Sequence, residues 1–312
     1  MGGASSPATP PYAESLPRLG FVLLALLSLV WGVNWPIIKV ALSEIPPWTF
    51  RALCIVGGAA GLFALCRLAG ISLAPPRGQF RALTVAALFN ITGWTILSAY
   101  GVSVMAAGRA SIIAFTMPVW VVLMGALFLG ERVTLRRVLA LAMGLGGLAV
   151  LIGGDLAAIG EAPVGALLMC GAALSWAAGT IVLKRVAWNA PVIVLSAWQL
   201  AIGGAPMVLG ALLWEVDSLG PVGTGPVLAV LYNVFACFIF GNYAWFKIVS
   251  LFPATLAGIG TLMIPVIGVF SGAIFLAEPL GLQELGALAL VVGALATVLG
   301  GPAARRKTLT RP

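Results

Sequence analysis

SLVWGVNWPIIK, from Ser28 to Lys39, and ALSWAAGTIVLK, from Ala173 to Lys184, are two versions of one pattern. Trp31 precedes Lys39, and Trp176 precedes Lys184, by the same eight positions, and the two stretches are offset by 145. A second pair follows: TMPVWVVLMGALFLGE (Thr116–Glu131) matches MIPVIGVFSGAIFLAE (Met263–Glu278) at an offset of 147. Gly153-Gly154 matches Gly300-Gly301 at that same offset of 147. Two ordered matches at nearly one offset mark an internal duplication, with a net gap of two residues between them.

The solvent for this duplicated unit is lipid. Apolar residues are 61% of the 312 positions and charged residues only 8%, with a mean hydropathy of +1.12. Soluble domains carry about 25% charge, and so few charges cannot cover a water-facing surface. About 20 apolar residues cross a bilayer core. Ten such stretches fall at 19–41, 47–69, 80–102, 109–130, 134–154, 163–183, 191–214, 226–249, 254–277 and 281–301. Successive single crossings satisfy their backbone as helices, so the expected fold is all-α, ten transmembrane helices in two five-helix repeats. The domains expected are a first repeat over 19–154 and a second over 163–301. They are flanked by tails over 1–18 and 302–312, for which disorder and a cytoplasmic location are expected. With five crossings per repeat, the second starts on the opposite side and the repeats are inverted. Substrate sites of such proteins lie near the midplane between the halves.

Basic residues give the orientation. With the N-terminus in the cytoplasm, 14 Lys and Arg residues lie inside and only Lys39, Arg51 and Arg109 outside. Both termini are therefore expected in the cytoplasm. The net charge of +8 is spread as single residues and short clusters between apolar stretches. That is topology signalling rather than a nucleic-acid face. Residues 1–17 lack the basic start of a signal peptide. Cys54, Cys66, Cys170 and Cys237 sit within or at the ends of apolar stretches and lack metal-ligand spacing.

WGVNWPIIK in span 1, MPVWVVLMGALFLGER at the end of span 4 and IPVIGVFSGAIFLAEP at the end of span 9 resemble the drug/metabolite transporter superfamily. Within it they are similar to ten-span proteins with two EamA-type repeats, nearest to the branch that exports aromatic and other neutral amino acids. The resemblance runs over about 19–301. It implies a bacterial-type inner-membrane exporter whose central cavity is lined mainly by spans 1, 3, 4, 6, 8 and 9. In the distantly similar four-span multidrug-resistance proteins a glutamate precedes the span-1 lysine by eight positions. Here Trp31 and Trp176 occupy those positions, against proton-coupled export of cationic drugs.

Candidate residues follow from polar and aromatic groups where lipid would exclude them. Trp31, Asn34, Trp35 and Ile38 share one helical face. Trp31 lies too deep for the interfacial aromatic belt, and the other reading for it is helix packing. Asn90, Trp94 and Tyr100 in span 3, Trp176 in span 6, and Asn233, Tyr243 and Trp245 in span 8 complete the expected substrate-binding set. The amides could equally be interhelical glue. On a regular helix Asn233 and Asn242, nine apart, face opposite ways. Pro118 and Pro265 are expected mid-helix, as hinges or static kinks. Lys39 and Lys184 are gate or carboxylate-contact candidates, with headgroup snorkelling the alternative, and Arg51 is expected to snorkel.

Histidine is absent, and no acid stands mid-span. There is no Walker A loop, no Ser–His dyad and no paired-aspartate motif. No enzyme, catalytic residue, metal or cofactor is expected. The expected function is a secondary transporter exporting small amphipathic metabolites, most closely aromatic or neutral amino acids, by alternating access. The alternatives are other metabolites or drugs, or a membrane channel or scaffold. The expected partners are that small molecule and the lipid bilayer, and the internal two-fold is compatible with a functional monomer.

Overall fold

The computed structural model describes residues 17–103, 113–114, 116–152, 163–218, 220–276 and 282–299. These residues are helical with short connections and include no strand. The helices are α1 (Arg18–Leu42), α2 (Pro47–Leu68), α3 (Phe80–Ala87), α4 (Trp94–Ser103), α5 (Met117–Leu129), α6 (Leu135–Ile152) and α7 (Pro163–Arg185). They continue as α8 (Val192–Trp214), α9 (Thr224–Tyr232), α10 (Asn242–Leu251), α11 (Ala254–Gly260), α12 (Met263–Leu276) and α13 (Leu282–Leu299). Among the described residues six helical stretches are long and apolar enough to cross a membrane: α1, α2, α7, α8, the run Phe80–Ser98 and the run Thr224–Leu251. Large apolar side chains face outward, among them Leu68 at 85% and Leu127 at 77% exposure. In water that surface would be untenable; against acyl chains it costs nothing.

Local chemistry starts the helices the same way in both repeats. Pro46, at φ −58 and ψ 149, precedes α2, and Pro191, at φ −58 and ψ 145, precedes α8. An extended proline cannot continue the preceding helix and leaves the next to begin at once. Glu215 at the end of α8 accepts from the Trp48 and Thr49 amides at 3.2 and 2.8 Å, satisfying orphan donors of α2. Glu44 accepts from the Gly223 amide before α9 at 2.6 Å. At the equivalent connection of the second repeat, Asn189 donates its side-chain amide to Arg77 O at 3.0 Å and its backbone amide to Gln79 Oε1 at 3.0 Å.

Packing is paired across the repeats. α2 lies against α8, and α6 against α13. α1 packs on α12, α9 and α10, while α7 packs on α5, α3 and α4. Exchanging the repeats leaves this list unchanged. Small residues allow the close approach that lipid does not drive. A Cβ on Gly203 would sit 2.8 Å from Ala87 O, and one on Gly204 would overlap Ile55.

Helix interruptions recur in both repeats. Leu88–Gly93 and Asn233–Gly241 are π-helical, and their starts lie 145 apart, the offset of the tryptophan match. α5 and α12 each begin after a break. Thr116 donates its hydroxyl to Ile113 O at 2.6 Å, and Thr261 donates to Gly258 O at 2.7 Å. Those threonines are also 145 apart, whereas Pro118 and Pro265 are 147 apart. The two-residue gap thus falls between the break and the proline.

Two expectations change. Pro118 stands in the first turn of α5 rather than mid-helix, where the missing N–H costs no hydrogen bond; the interruption precedes it. Pro265 is the third residue of α12, and its side chain is outside the described residues. Asn233 and Asn242 are separated by a π-helix of roughly 4.4 residues per turn, so nine residues make about two turns. They therefore share a face, and both are buried, at 0% and 5% exposure.

Candidate functional site

Four tryptophans from four crossings meet where the interruptions cluster. Trp176 of α7 stands edge-on to Trp31 of α1, ring centroids 5.7 Å apart, and to Trp94 of α4 at 5.0 Å. Trp245 of α10 lies 5.7 Å from Trp176 and 6.3 Å from Trp31. Edge-to-face indoles attract through their quadrupoles, and together they form an aromatic centre between the repeats. The π segment serves it. Trp31 Nε1 donates to Cys237 O at 3.4 Å, a carbonyl of the wide turn. A side chain at Gly241 would overlap Trp31, so glycine there lets the ring lie against the backbone.

The polar groups around this centre are unspent. The Nε1 donors of Trp120, Trp176 and Trp245 are buried and lack an acceptor. Asn34, Asn90 and Asn233 each keep a buried Oδ1 without a donor, and Gln199 keeps its Nε2. Asn90 donates to Gln199 Oε1 at 3.3 Å, joining the first π segment to α8. Gly179 of α7 makes room, since a Cβ there would lie 2.5 Å from the Asn90 amide. Asn233 instead donates to Ala229 O of its own helix at 3.0 Å. Every buried polar side chain among the described residues is neutral: Ser, Thr, Asn or Gln. Buried donors and acceptors left open cost about 1–3 kcal/mol each, and three of them are indole nitrogens of this aromatic cluster.

The remaining candidates are dispersed. Tyr100 is 44% exposed and packs edge-on against Trp48 at 5.8 Å, apart from the four indoles. Tyr243 packs against the apolar cluster of α2 and α8 that holds Ile55, Ala59 and Leu200. The side chains of Trp35 and Lys39 are outside the described residues. Lys184 donates to Val249 O at 2.8 Å and to Phe252 O at 2.7 Å, where α10 ends. The Ala254 amide that starts α11 donates to Glu131 Oε1 at 2.8 Å, and Glu131 Oε2 lies 3.5 Å from Arg137. Phe252 is fully buried and fills the space beside Gly20. The α10–α11 corner is thus held from both sides by charge-assisted hydrogen bonds. A pocket of about 280 Å³ beside it is lined by Lys184, Trp188 and Phe246, but by none of the four tryptophans.

Two participants lay outside the candidate set. Trp120 belongs to the same packed cluster; its place two residues after Pro118 was the available signal. Gln199 has its partner 109 residues away, which no local pattern encodes. Among the described residues no group of His, Cys, Asp or Glu is arranged to hold a metal.

A crystal structure superposes with a TM-score of 0.79, covering 93% of this chain and 99% of that chain at 22% identity; it shows the fold alone. The EamA-like transporter family model matches residues 18–153 and again 163–300, so the chain belongs to that family. It is a multi-pass membrane protein of transporter type. The uncharacterized transporter YvbV of Bacillus subtilis is 32% identical over 283 residues, covering 89% of this chain and 90% of the relative. A protein of Salmonella typhimurium named "Probable amino-acid metabolite efflux pump" is 30% identical over 298 residues, covering 90% and 95%. The uncharacterized inner membrane transporter YedA of Escherichia coli is 25% identical over 291 residues, covering 93% of each.

Proposed function

We propose that this protein is an inner-membrane secondary transporter that exports aromatic or other neutral amino acids and related amphipathic metabolites. It works by alternating access between two inverted repeats, with both termini in the cytoplasm. The observation that carries the reading is the aromatic centre with its open indole donors and amide oxygens. Such a site offers donors to a carboxylate, and acceptors and ring faces to an ammonium group. The indoles and amides of the centre itself are uncharged, which suits cargo whose own charges balance. Trp31, Asn34, Trp94, Trp176 and Trp245 line it, with Trp35 beside Asn34 on α1. The breaks before Pro118 and Pro265 are the bending points. Lys184 and Glu131 fasten the cytoplasmic corner in this conformation, and Lys39, the repeat equivalent of Lys184, acts on the other side. The name of the Salmonella typhimurium relative agrees with an amino-acid metabolite as cargo.

The test is counterflow in proteoliposomes. Unlabelled amino acid inside should accelerate uptake of radiolabelled amino acid, with little change when a pH gradient is imposed. Absence of flux for every amino acid would overturn the substrate class. Flux without trans-acceleration would point to a channel.

A further inference from the structure

Arg51 stands in the first two turns of α2. On a bilayer-spanning helix a guanidinium is costly unless it turns to headgroups or meets an anion. Its helical face decides between these. Ile55 and Gly58, four and seven positions on, share that face. A Cβ on Gly58 would meet Phe238 at 2.6 Å and Leu200 at 3.2 Å, and Ile55 is pressed against Gly204. The face that carries Arg51 is therefore turned into the protein, toward α8 and the second π segment, not toward lipid. Arg51 lies over the Phe50 ring at 5.5 Å and within electrostatic reach of Cys54 and Cys237. Cys237 is the residue whose carbonyl receives Trp31 Nε1.

Among the described residues no acid forms an ion pair with it; Glu131 pairs instead with Arg137, at 3.5 Å. Glu44 and Glu215, in the connections at this end, are engaged by helix-starting amides. Arg51 has no hydrogen-bond acceptor among the described residues, although a guanidinium carries five donors in a fork that fits an oxyanion.

We infer that Arg51 is an anion-binding residue on the outer side of the aromatic centre, and that it receives the carboxylate of the transported molecule. The inference rests on the proposed transport reading for the identity of the ligand, but its test does not depend on flux. The full-length protein in nanodiscs is titrated with 3-phenylpropionate and with its uncharged amide, following intrinsic tryptophan fluorescence. The wild type should bind the carboxylate about tenfold or more tightly than the amide, the scale of one charge-assisted contact. Arg51→Gln should remove that preference while leaving amide binding unchanged, and Arg51→Lys should keep part of it. A monodisperse elution profile for both variants establishes that they fold. Equal weakening of both ligands by Arg51→Gln would overturn the inference. So would a wild type that does not discriminate, or a preference set by the phosphatidylglycerol content of the disc, which would assign the guanidinium to lipid phosphate. Arg51-dependent carboxylate binding without amino-acid counterflow would leave this site standing and overturn only the proposed cargo.

Discussion

The two π segments begin at equivalent places in the two repeats, yet their amides do different work. In the first, Asn90 reaches across to Gln199 of α8 and is accommodated by Gly179 of α7. In the second, Asn233 turns back onto Ala229 of its own helix, and the backbone around Cys237 and Gly241 supports Trp31. Duplication preserved where the helix widens and not which side chain exploits it. A backbone interruption can satisfy symmetric packing, whereas a bound molecule with two unlike ends needs different groups on its two sides. The same division appears at the broken helices. Thr116 and Thr261 bond alike, but two extra residues separate Thr261 from its proline.

The largest expected effect is at the ring shared by both sides. Trp176→Ala removes the indole that touches Trp31, Trp94 and Trp245. It should cost about 3–5 kcal/mol and abolish counterflow, read by thermal unfolding in detergent and by flux. Next come the glycines against which the two sides are fitted. Gly179→Val and Gly241→Val each force a side chain into Asn90 or Trp31. A loss of about 1–3 kcal/mol is expected from overpacking, while Gly146→Ala, with open space around it, should be neutral or slightly stabilising. Smaller still, a double-mutant cycle of Asn90→Ala with Gln199→Ala should give a coupling of roughly 1 kcal/mol. The cycle of Asn233→Ala with Gln199→Ala should give roughly none. Equal couplings would mean that the two amides do the same work. The least effect is expected at the threonines. Thr116→Val and Thr261→Val should each cost about 0.5–1.5 kcal/mol and by like amounts; a marked inequality would mean that the breaks are not equivalent.

Much of the scaffold is legible in the chain. The stretch read as 47–69 is helical over Pro47–Leu68, and that read as 191–214 over Val192–Trp214, because apolar runs bounded by proline leave few alternatives. Trp31 and Trp176 stood out because they occupy a position that a duplication kept. The wide turns left no such trace. Leu88–Gly93 has no residue type that demands a π-helix, since that conformation is selected by what packs on it. Pro118 pointed to a kink in the helix that contains it. The structure instead places the interruption two residues earlier, at Thr116, because a proline opens a helix more cheaply than it bends one. The Asn90–Gln199 bond and the inward turn of Arg51 depend on helix rotations set by neighbours far along the chain.

The proposed alternating-access mechanism requires two halves that share a pattern and face opposite ways. Ser43, after α1, and Ala187, after α7, stand in equivalent connections. In a background with Cys54, Cys66, Cys170 and Cys237 replaced, single cysteines at positions 43 and 187 can be probed in intact cells with a membrane-impermeant maleimide. The cysteine at 43 should label from outside, and the one at 187 only after the cells are permeabilised. Labelling of both from the same side would contradict the inverted repeat.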